Sequence, residues 1–81
     1  MSYLAALTAC ASALVAGERD FARLEREGEA ALVTADFRPD YFAIRNAADL
    51  SPPVAASRNL VVLAAGHLGR ARLIDNLLVS L

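Results

Sequence analysis

Residues 60–65 read LVVLAA, a continuous apolar run bounded by polar and glycine residues. Such a run is typical of a central strand that is buried on both faces. Before it, residues 40–45 read DYFAIR and alternate, with Phe42 and Ile44 on one face, which predicts a half-buried strand. After it, residues 72–79 read RLIDNLLV and give a third strand. These three strands decide the fold.

The segments between the strands indicate how the strands are joined. Residues Asn46 to Ser57 are rich in Asn, Asp, Ser and Pro, which is typical of a surface connection. Residues Gly66 to Arg70 form a shorter connection that contains two of the four glycines. Short links of this kind predict an antiparallel sheet, because parallel strands need long crossovers.

The N-terminal segment, Tyr3 to Ala16, is predicted to be a helix that is apolar all round. One stripe at helical spacing is predicted to be buried, and it comprises Leu4, Leu7, Ala11, Leu14 and Val15. The other face is small and uncharged and comprises Ala6, Ala9, Cys10 and Ala13. A helix without a polar face is buried on more than one side, so we expect a partner surface for it.

A second helix is predicted from Phe21 to about Ala35, with Asp20 as its N-cap. Its apolar face contains Gly28, where close packing is expected because glycine in mid-helix costs about 1 kcal/mol relative to alanine. The order ααβββ predicts an α+β domain in which two helices pack on a small three-stranded antiparallel sheet. We expect residues 1–81 to form this single domain.

Composition limits the classes of protein that the chain can represent. It has 81 residues, is 57% apolar and carries a net charge of −1, with all eight cations arginine. The length excludes a two-domain dehydrogenase, a barrel enzyme and a transporter. The balanced charge argues against nucleic acid or an anionic membrane as a partner. A single cysteine, and a first stretch without the basic residues of a signal peptide, predict a cytoplasmic protein.

Few residues are candidates for chemistry. His67 is predicted to be an ordinary turn residue, and Cys10 a small buried apolar residue rather than a nucleophile. Because the chain has only one histidine and one cysteine, we expect no metal site. No arrangement of residues points to a catalytic or cofactor-binding site.

The polar residues inside the third strand are more informative. For Arg72, Asp75 and Asn76 we expect a structural ion pair or turn network, and a contact to a ligand or a neighbouring domain is the alternative. Arg45 and Arg70 together with Arg72 carry the charge for an anion site. The two glycines at 66 and 69 do not complete a phosphate-binding loop, since the spacing and the lysine of that motif are lacking.

Three segments resemble the C-terminal part of the pantothenate synthetase (pantoate–β-alanine ligase) family. Residues 64–79, AAGHLGRARLIDNLLV, resemble the family's terminal motif. Residues 40–50, DYFAIRNAADL, resemble a strand and turn of that family, with Asn46 in place of the usual Asp. Residues 16–21, AGERDF, resemble its junction between two helices. The matches lie in the family's order and cover nearly the whole chain.

The resemblance implies the lid domain of an ATP-dependent ligase. In that family, pantoate is activated with ATP as pantoyl adenylate, which β-alanine attacks to give pantothenate, a precursor of coenzyme A. The family's contacts to ATP and Mg²⁺ lie in an N-terminal nucleotide-binding domain and an S-S-R-N junction. Since those motifs are not in this sequence, the resemblance implies a chain truncated on its N-terminal side and inactive alone. Its partner would be that N-terminal domain.

A second hypothesis comes from the composition. The chain is also compatible with a non-enzymatic α+β module that associates with itself or with another protein through the uncharged first helix. The two hypotheses are compatible, because a separated domain can self-associate through a surface that its own enzyme would cover.

Overall fold

The computed structural model describes residues 3–81 and contains two helices followed by three strands. Met1 and Ser2, which open the uncharged N-terminal stretch, lie outside the described residues. The elements are α1 (Tyr3–Val15), α2 (Phe21–Thr34), β1 (Arg38–Asn46), β2 (Asn59–Leu68) and β3 (Ala71–Ser80). Both strand pairs are antiparallel and the strand order is β1-β2-β3. The predicted α+β class and the order ααβββ are therefore confirmed.

The central strand β2 is buried on both faces, as its apolar sequence predicts. Leu60, Val62 and Ala64 belong to the core cluster that includes the helix residues. Val61 and Ala65 alternate with them, lie outside that cluster and are nevertheless buried. Both helices pack on the face that carries Val62, and we call the opposite face the open face.

Helix α2 packs on β1 through its one glycine. The side chain of Asp20 accepts a hydrogen bond from the backbone N–H of Arg23 at 3.2 Å, which confirms the predicted N-cap. Gly28 is buried, and a Cβ added to it would overlap the ring of Phe42. The close packing expected at this position is present because the missing side chain makes room for the aromatic ring.

Helix α1 buries only part of the predicted stripe. Leu7 and Leu14 are buried as expected, but Leu4 and Val15 are 61% and 67% exposed. Ala6 and Cys10 from the small face are also buried, as a helix buried on more than one side requires, and α1 contacts α2 as well as the sheet. The small side chains lie at the contact between the two helices, where close approach favours them, so most of the partner surface expected for α1 is supplied by the domain itself.

The side chain of Tyr3, the first residue that the structure describes, connects α1 to the sheet. Its hydroxyl donates hydrogen bonds to the backbone carbonyls of Ala64 and, at 3.2 Å, of Leu73, on two neighbouring strands. Its ring lies 5.3 Å from the ring of Phe37, centroid to centroid. Burial raises the pKa of the Tyr3 hydroxyl above its ordinary value, so it remains a proton donor at neutral pH.

All three strands are longer than predicted, β3 by one residue at each end. The chain after Ala65 was expected to turn at Gly66, but β2 continues to Leu68, because His67 pairs with Arg72 and Leu68 with Ala71. The connection to β3 is therefore a tight turn at residues 69–70. β1 begins at Arg38, and its register with β2 shifts between Pro39 and Tyr41. Such a shift is a β-bulge, which leaves the intervening residue unpaired and re-aims its side chain.

The outer edge of β1 is covered by a side chain of α2 and by the backbone of the loop that follows β1. The carboxylate of Glu25 on α2 accepts the backbone N–H of Ile44 at 2.9 Å and the guanidinium of Arg45 at 3.1 Å. Further along the same edge, the N–H of Asn46 donates to the carbonyl of Ser51 at 2.9 Å. These contacts satisfy backbone groups that a free edge strand would offer to another chain.

Candidate functional site

The three polar residues predicted in β3 do not form one network. Arg72 and Asp75 lie on opposite faces of the strand, because side chains alternate and the two are an odd number of positions apart. Arg72 donates a hydrogen bond to Asp40 at 2.8 Å, and Asp75 accepts the backbone N–H of Asn76 at 2.8 Å. The expected Arg72–Asp75 ion pair is therefore wrong, since neighbours three apart on a strand do not share a face.

A polar cluster instead joins all three strands at one end of the open face. Asp40 at the β1 bulge lies 3.5 Å from Nδ1 of His67 on β2 and 2.8 Å from Nε of Arg72 on β3. We call these three residues the Asp40 cluster. Each side chain is about one-third to one-half exposed. His67 is thus a strand residue with a carboxylate partner, and the prediction that it lies in a turn is wrong.

Asp40 is the residue that sequence reasoning missed. It opens the DYFAIR segment, where strict alternation would place it on the same face as Phe42 and Ile44. Only the bulge between Pro39 and Tyr41 brings its carboxylate to His67 and Arg72. A local sequence pattern does not indicate such a shift in register. The contact between Asp40 and Arg72, which are 32 positions apart, therefore could not be predicted from the sequence.

The charge partners of Asp40 keep it ionised. The hydrogen bond from Arg72 lowers the pKa of the Asp40 carboxyl below its ordinary value, and the charges of His67, Arg72 and Arg38 lower it further. A lowered folded-state pKa stabilises the fold above the ordinary pKa of the group. That contribution is lost as pH falls through the lowered value.

Replacing Asp40 with asparagine should therefore lower Tm at neutral pH and have little effect in acid. The wild-type carboxylate loses its charge in acid, so the two proteins converge there. Thermal unfolding followed by circular dichroism at several pH values measures the difference in Tm. Glu29→Gln is the control, because Glu29 is exposed and makes no ion pair with the described residues. A difference for Asp40→Asn that persists unchanged in acid would contradict the role given to the carboxylate.

Arg45 and Arg72 do not share an anion site. Arg45 pairs in register with Val61 and Arg72 with His67, six positions along β2 or about 20 Å away. Arg45 bonds Glu25 and Arg72 bonds Asp40, so both guanidinium groups already have carboxylate partners. Arg45 therefore does not belong to the three-arginine site considered from the sequence.

Cys10 is buried between the helices and has the properties of an apolar residue. Burial raises the pKa of its thiol to about 11, and the negative charges of Glu25 and Glu27 add to that shift. The thiolate is the nucleophilic form of cysteine, and it is almost absent at neutral pH when the pKa is this high. The prediction that Cys10 is a small buried residue is confirmed.

Labelling of Cys10 should consequently be slow in the folded protein. We expect a thiol reagent at neutral pH to react at least about 100-fold more slowly than with the unfolded chain, whose thiol has an ordinary pKa. Mass spectrometry after timed alkylation, with and without denaturant, measures the two rates. Fast labelling without denaturant would show that the contact between α1 and α2 opens readily.

Two depressions mark the surface of the described residues. A depression of about 510 Å³ lies between the end of α1 and the C-terminus and is lined by Val15, Arg19, Ala55, Ala56, Ser57, Arg58, Ser80 and Leu81. The guanidinium of Arg19 there is already bonded to the carbonyls of Leu14 and Glu18. A groove of about 240 Å³ between α1 and α2 is lined mostly by small apolar side chains. Cys10 and Glu27 both line this groove, where burial keeps the Cys10 thiol protonated.

Residues 3–81 hold no group of three or more His, Cys, Asp or Glu side chains that would bind a metal ion. The part of the chain that the structure describes has no helix long and apolar enough to cross a membrane.

Comparison with known proteins shows that this chain is similar to one part of longer enzymes. The family model described as pantoate-beta-alanine ligase matches residues 2–78. The chain is 55% identical over 75 residues to the pantothenate synthetase of Methylococcus capsulatus, covering 93% of this chain and 26% of that protein. It is also 55% identical to the pantothenate synthetase of Nitrosococcus oceani, covering 94% and 27%. A crystal structure of the Thermus thermophilus enzyme superposes with a TM-score of 0.79 at 36% identity, covering 93% of this chain and 27% of that one. The chain thus spans about a quarter of the length of these relatives.

Proposed function

The chain belongs to the pantoate-beta-alanine ligase family, and we propose that it acts as the C-terminal domain of such a ligase. The observation that carries this proposal is a family match over residues 2–78 in a chain that spans about a quarter of its relatives. The terminal motif at residues 64–79, which forms the hairpin of β2 and β3, supports the C-terminal position. In this proposal, residues 1–81 form one domain.

The proposed ligase condenses pantoate with β-alanine at the expense of ATP. Pantoate attacks the α-phosphate of ATP to give pantoyl adenylate and pyrophosphate. The amine of β-alanine then attacks the acyl carbon and releases AMP, which leaves pantothenate. The described residues offer neither a metal-binding group nor a phosphate-binding loop, so we assign ATP and Mg²⁺ to an N-terminal nucleotide-binding domain, which is the proposed partner. We place the ligase in the cytoplasm.

Within that domain we assign a structural role to the motif residues. Arg72 ties β3 to the Asp40 carboxylate of β1 across β2. Asp75 accepts the backbone N–H of Asn76. Both contacts lie within the domain, and for this reason we give Arg72, Asp75 and Asn76 a structural role and no catalytic one.

The isolated chain is proposed to be inactive. A coupled assay for AMP, with pantoate, β-alanine, ATP and Mg²⁺, tests this point. We expect the purified 81-residue chain to produce no AMP above the rate without protein, while the Nitrosococcus oceani enzyme serves as the positive control. Turnover by the chain itself would overturn the proposal that it is inactive, but it would leave the assignment of the chain to its family unchanged.

The genomic sequence upstream of Met1 tests the proposed N-terminal partner. We expect a reading frame that contains the H-x-G-H and S-S-R-N motifs of the family, either continuous with this chain or as a neighbouring gene. A genome with a complete ligase elsewhere and no such frame next to this chain would instead support the alternative, a non-enzymatic module. Self-association of such a module through α1 remains a prediction, to which the exposed Leu4 and Val15 contribute.

A further inference from the structure

A row of cationic side chains crosses one end of the open face. In the register of the sheet, Arg38 on β1 lies opposite His67 on β2, and His67 lies opposite Arg72 on β3. Residues in register share a face of the sheet, and the two registers place the Cα atoms of Arg38 and Arg72 about 10 Å apart. The charge of Arg38 also contributes to the lowered pKa of Asp40, so its guanidinium lies within electrostatic range of the carboxylate that Arg72 bonds. We call Arg38, His67 and Arg72 the cationic row.

Arg70 adds a third guanidinium group beside the row. Leu68 pairs with Ala71, so Gly69 and Arg70 alone form the turn between β2 and β3, and Arg70 is exposed in that turn. Arg72 follows two residues later. Arg70 therefore lies at the same end of the sheet as the cationic row.

Few carboxylates on the strands oppose these charges. The three strands contain two acidic residues, Asp40 and Asp75. Asp75 pairs with Ala64, a member of the core cluster, and thus lies on the face against the helices. On the open face, three guanidinium groups beside the one carboxylate of Asp40 leave an excess of positive charge, although the net charge of the whole chain is −1.

Most hydrogen-bond donors of these arginines are free. Arg38 and Arg70 form no ion pair with any of residues 3–81. Arg72 bonds Asp40 through Nε at 2.8 Å, and its two Nη groups have no hydrogen-bond partner among the described residues. Guanidinium groups bind phosphate through pairs of N–H donors. Asp40 therefore holds the Arg72 side chain in place and leaves its terminal donors available.

We propose that the cationic row, together with Arg70, binds an anion that carries two linked phosphate groups, such as pyrophosphate or the phosphate chain of a nucleotide. One guanidinium group is enough to bind a single carboxylate or phosphate. Two linked phosphate groups can instead accept hydrogen bonds from Arg38 and Arg72 at the same time, one on each side of His67. The site lies on this chain alone, so the proposal stands or fails separately from the assignment of the chain to a ligase.

A second pair of arginines offers a competing location. Arg19 and Arg58 line the depression near the C-terminus, at the opposite end of β2 from the cationic row. Arg19 already donates to the carbonyls of Leu14 and Glu18. This depression thus has two arginines, one of them already engaged, and the cationic row is the more favourable site for a doubly charged group.

An NMR titration of the isotope-labelled chain with pyrophosphate tests the site. The titration is done without divalent cations and at constant ionic strength. We expect saturable shifts of the backbone amides in residues 38–41 and 66–73, which surround the cationic row. A chain without saturable shifts up to about 10 mM pyrophosphate would overturn the proposal, since binding weaker than this has a free energy of less than about 3 kcal/mol. Shifts centred on Arg19 and Arg58 would overturn it as well.

Related anions test which part of the ligand is recognised. ATP should shift the same amides as pyrophosphate, because it carries the same linked phosphate groups. Inorganic phosphate and AMP should bind at least about tenfold more weakly, since each offers a single phosphate group. Binding of ATP without binding of pyrophosphate would contradict the proposal, because the nucleoside would then be the part that is recognised.

Three variants with the same change of charge test the residues. Arg38→Gln and Arg70→Gln should each weaken pyrophosphate binding at least about fivefold, because each removes charged donors from the site. Arg26→Gln is the matched control, since Arg26 is exposed on α2, in the other layer, and forms no ion pair with the described residues. We expect it to change the affinity less than about twofold, because surface charges at such a distance are screened by salt.

The comparison of these variants separates the site from the overall charge of the chain. Circular dichroism checks that all three variants fold. Equal weakening in all three would show that net charge, rather than the cationic row, attracts the anion. Folded Arg38→Gln and Arg70→Gln variants that bind pyrophosphate as well as the wild type does would equally overturn the proposal.

Discussion

Replacing Gly28 with alanine should destabilise the fold by about 2 kcal/mol, although alanine is the better helix former. Propensity alone favours alanine by about 1 kcal/mol in mid-helix. The added methyl group, however, overlaps the ring of Phe42, which is 3% exposed and enclosed by the core. Overpacking of this kind costs about 1–3 kcal/mol or more, since helix and strand must separate. Denaturation in urea measures the free energy of unfolding.

A double-mutant cycle with Phe42→Leu identifies the cause. If the ring is the obstacle, Gly28→Ala should be much less harmful in the Phe42→Leu background, with a coupling of about 1–2 kcal/mol. Ala30→Gly, at an exposed position of the same helix, measures the propensity difference separately. A Gly28→Ala variant as stable as the wild type would mean that α2 and β1 are not packed as closely as the structure shows.

Replacing Leu60 with alanine should remove about 3 kcal/mol of stability. Leu60 is fully buried in β2, where the core cluster joins the sheet to both helices. Deleting a buried leucine side chain costs about 2–5 kcal/mol from lost burial and the cavity left behind. A chain of this length has a free energy of unfolding of only a few kcal/mol, about 5 kcal/mol. The variant should therefore unfold at a much lower temperature than the wild type.

Leu50→Ala is the matched control for Leu60→Ala. Leu50 is 56% exposed in the connection between β1 and β2, and its replacement should change stability by less than about 0.5 kcal/mol. Both variants remove the same atoms, so their difference reports burial alone. Equal effects at the two positions would contradict the placement of β2 at the centre of the fold.

The features predicted from sequence are those that local patterns encode. Alternation placed Phe42 and Ile44 on the buried face of β1, an apolar run identified β2 as central, and Asp20 marked the start of α2. These features depend on neighbours in the chain, so one sequence is enough to find them.

The features that were missed depend on contacts between distant segments. The buried face of α1 is set by α2, which approaches closely at Ala6 and Cys10, and hydrophobicity alone favoured Leu4 and Val15. The Asp40 cluster depends on a bulge in β1. The cationic row depends on the register of all three strands. None of these leaves a local pattern.

Ile74 and Leu78 are exposed on the open face, which also carries the Asp40 cluster. In the proposed ligase, we expect the chemistry to reside outside this domain.

The most direct test of the central claim is a domain replacement. The matching quarter of the Methylococcus capsulatus pantothenate synthetase is exchanged for this chain, and AMP formation is measured with pantoate, β-alanine and ATP. We predict a folded chimera whose rate is within about tenfold of the parent, equivalent to about 1.4 kcal/mol, whereas the parent enzyme without that quarter should be inactive. A chimera that folds but forms no AMP would contradict the claim that this chain is the C-terminal domain of a pantoate–β-alanine ligase.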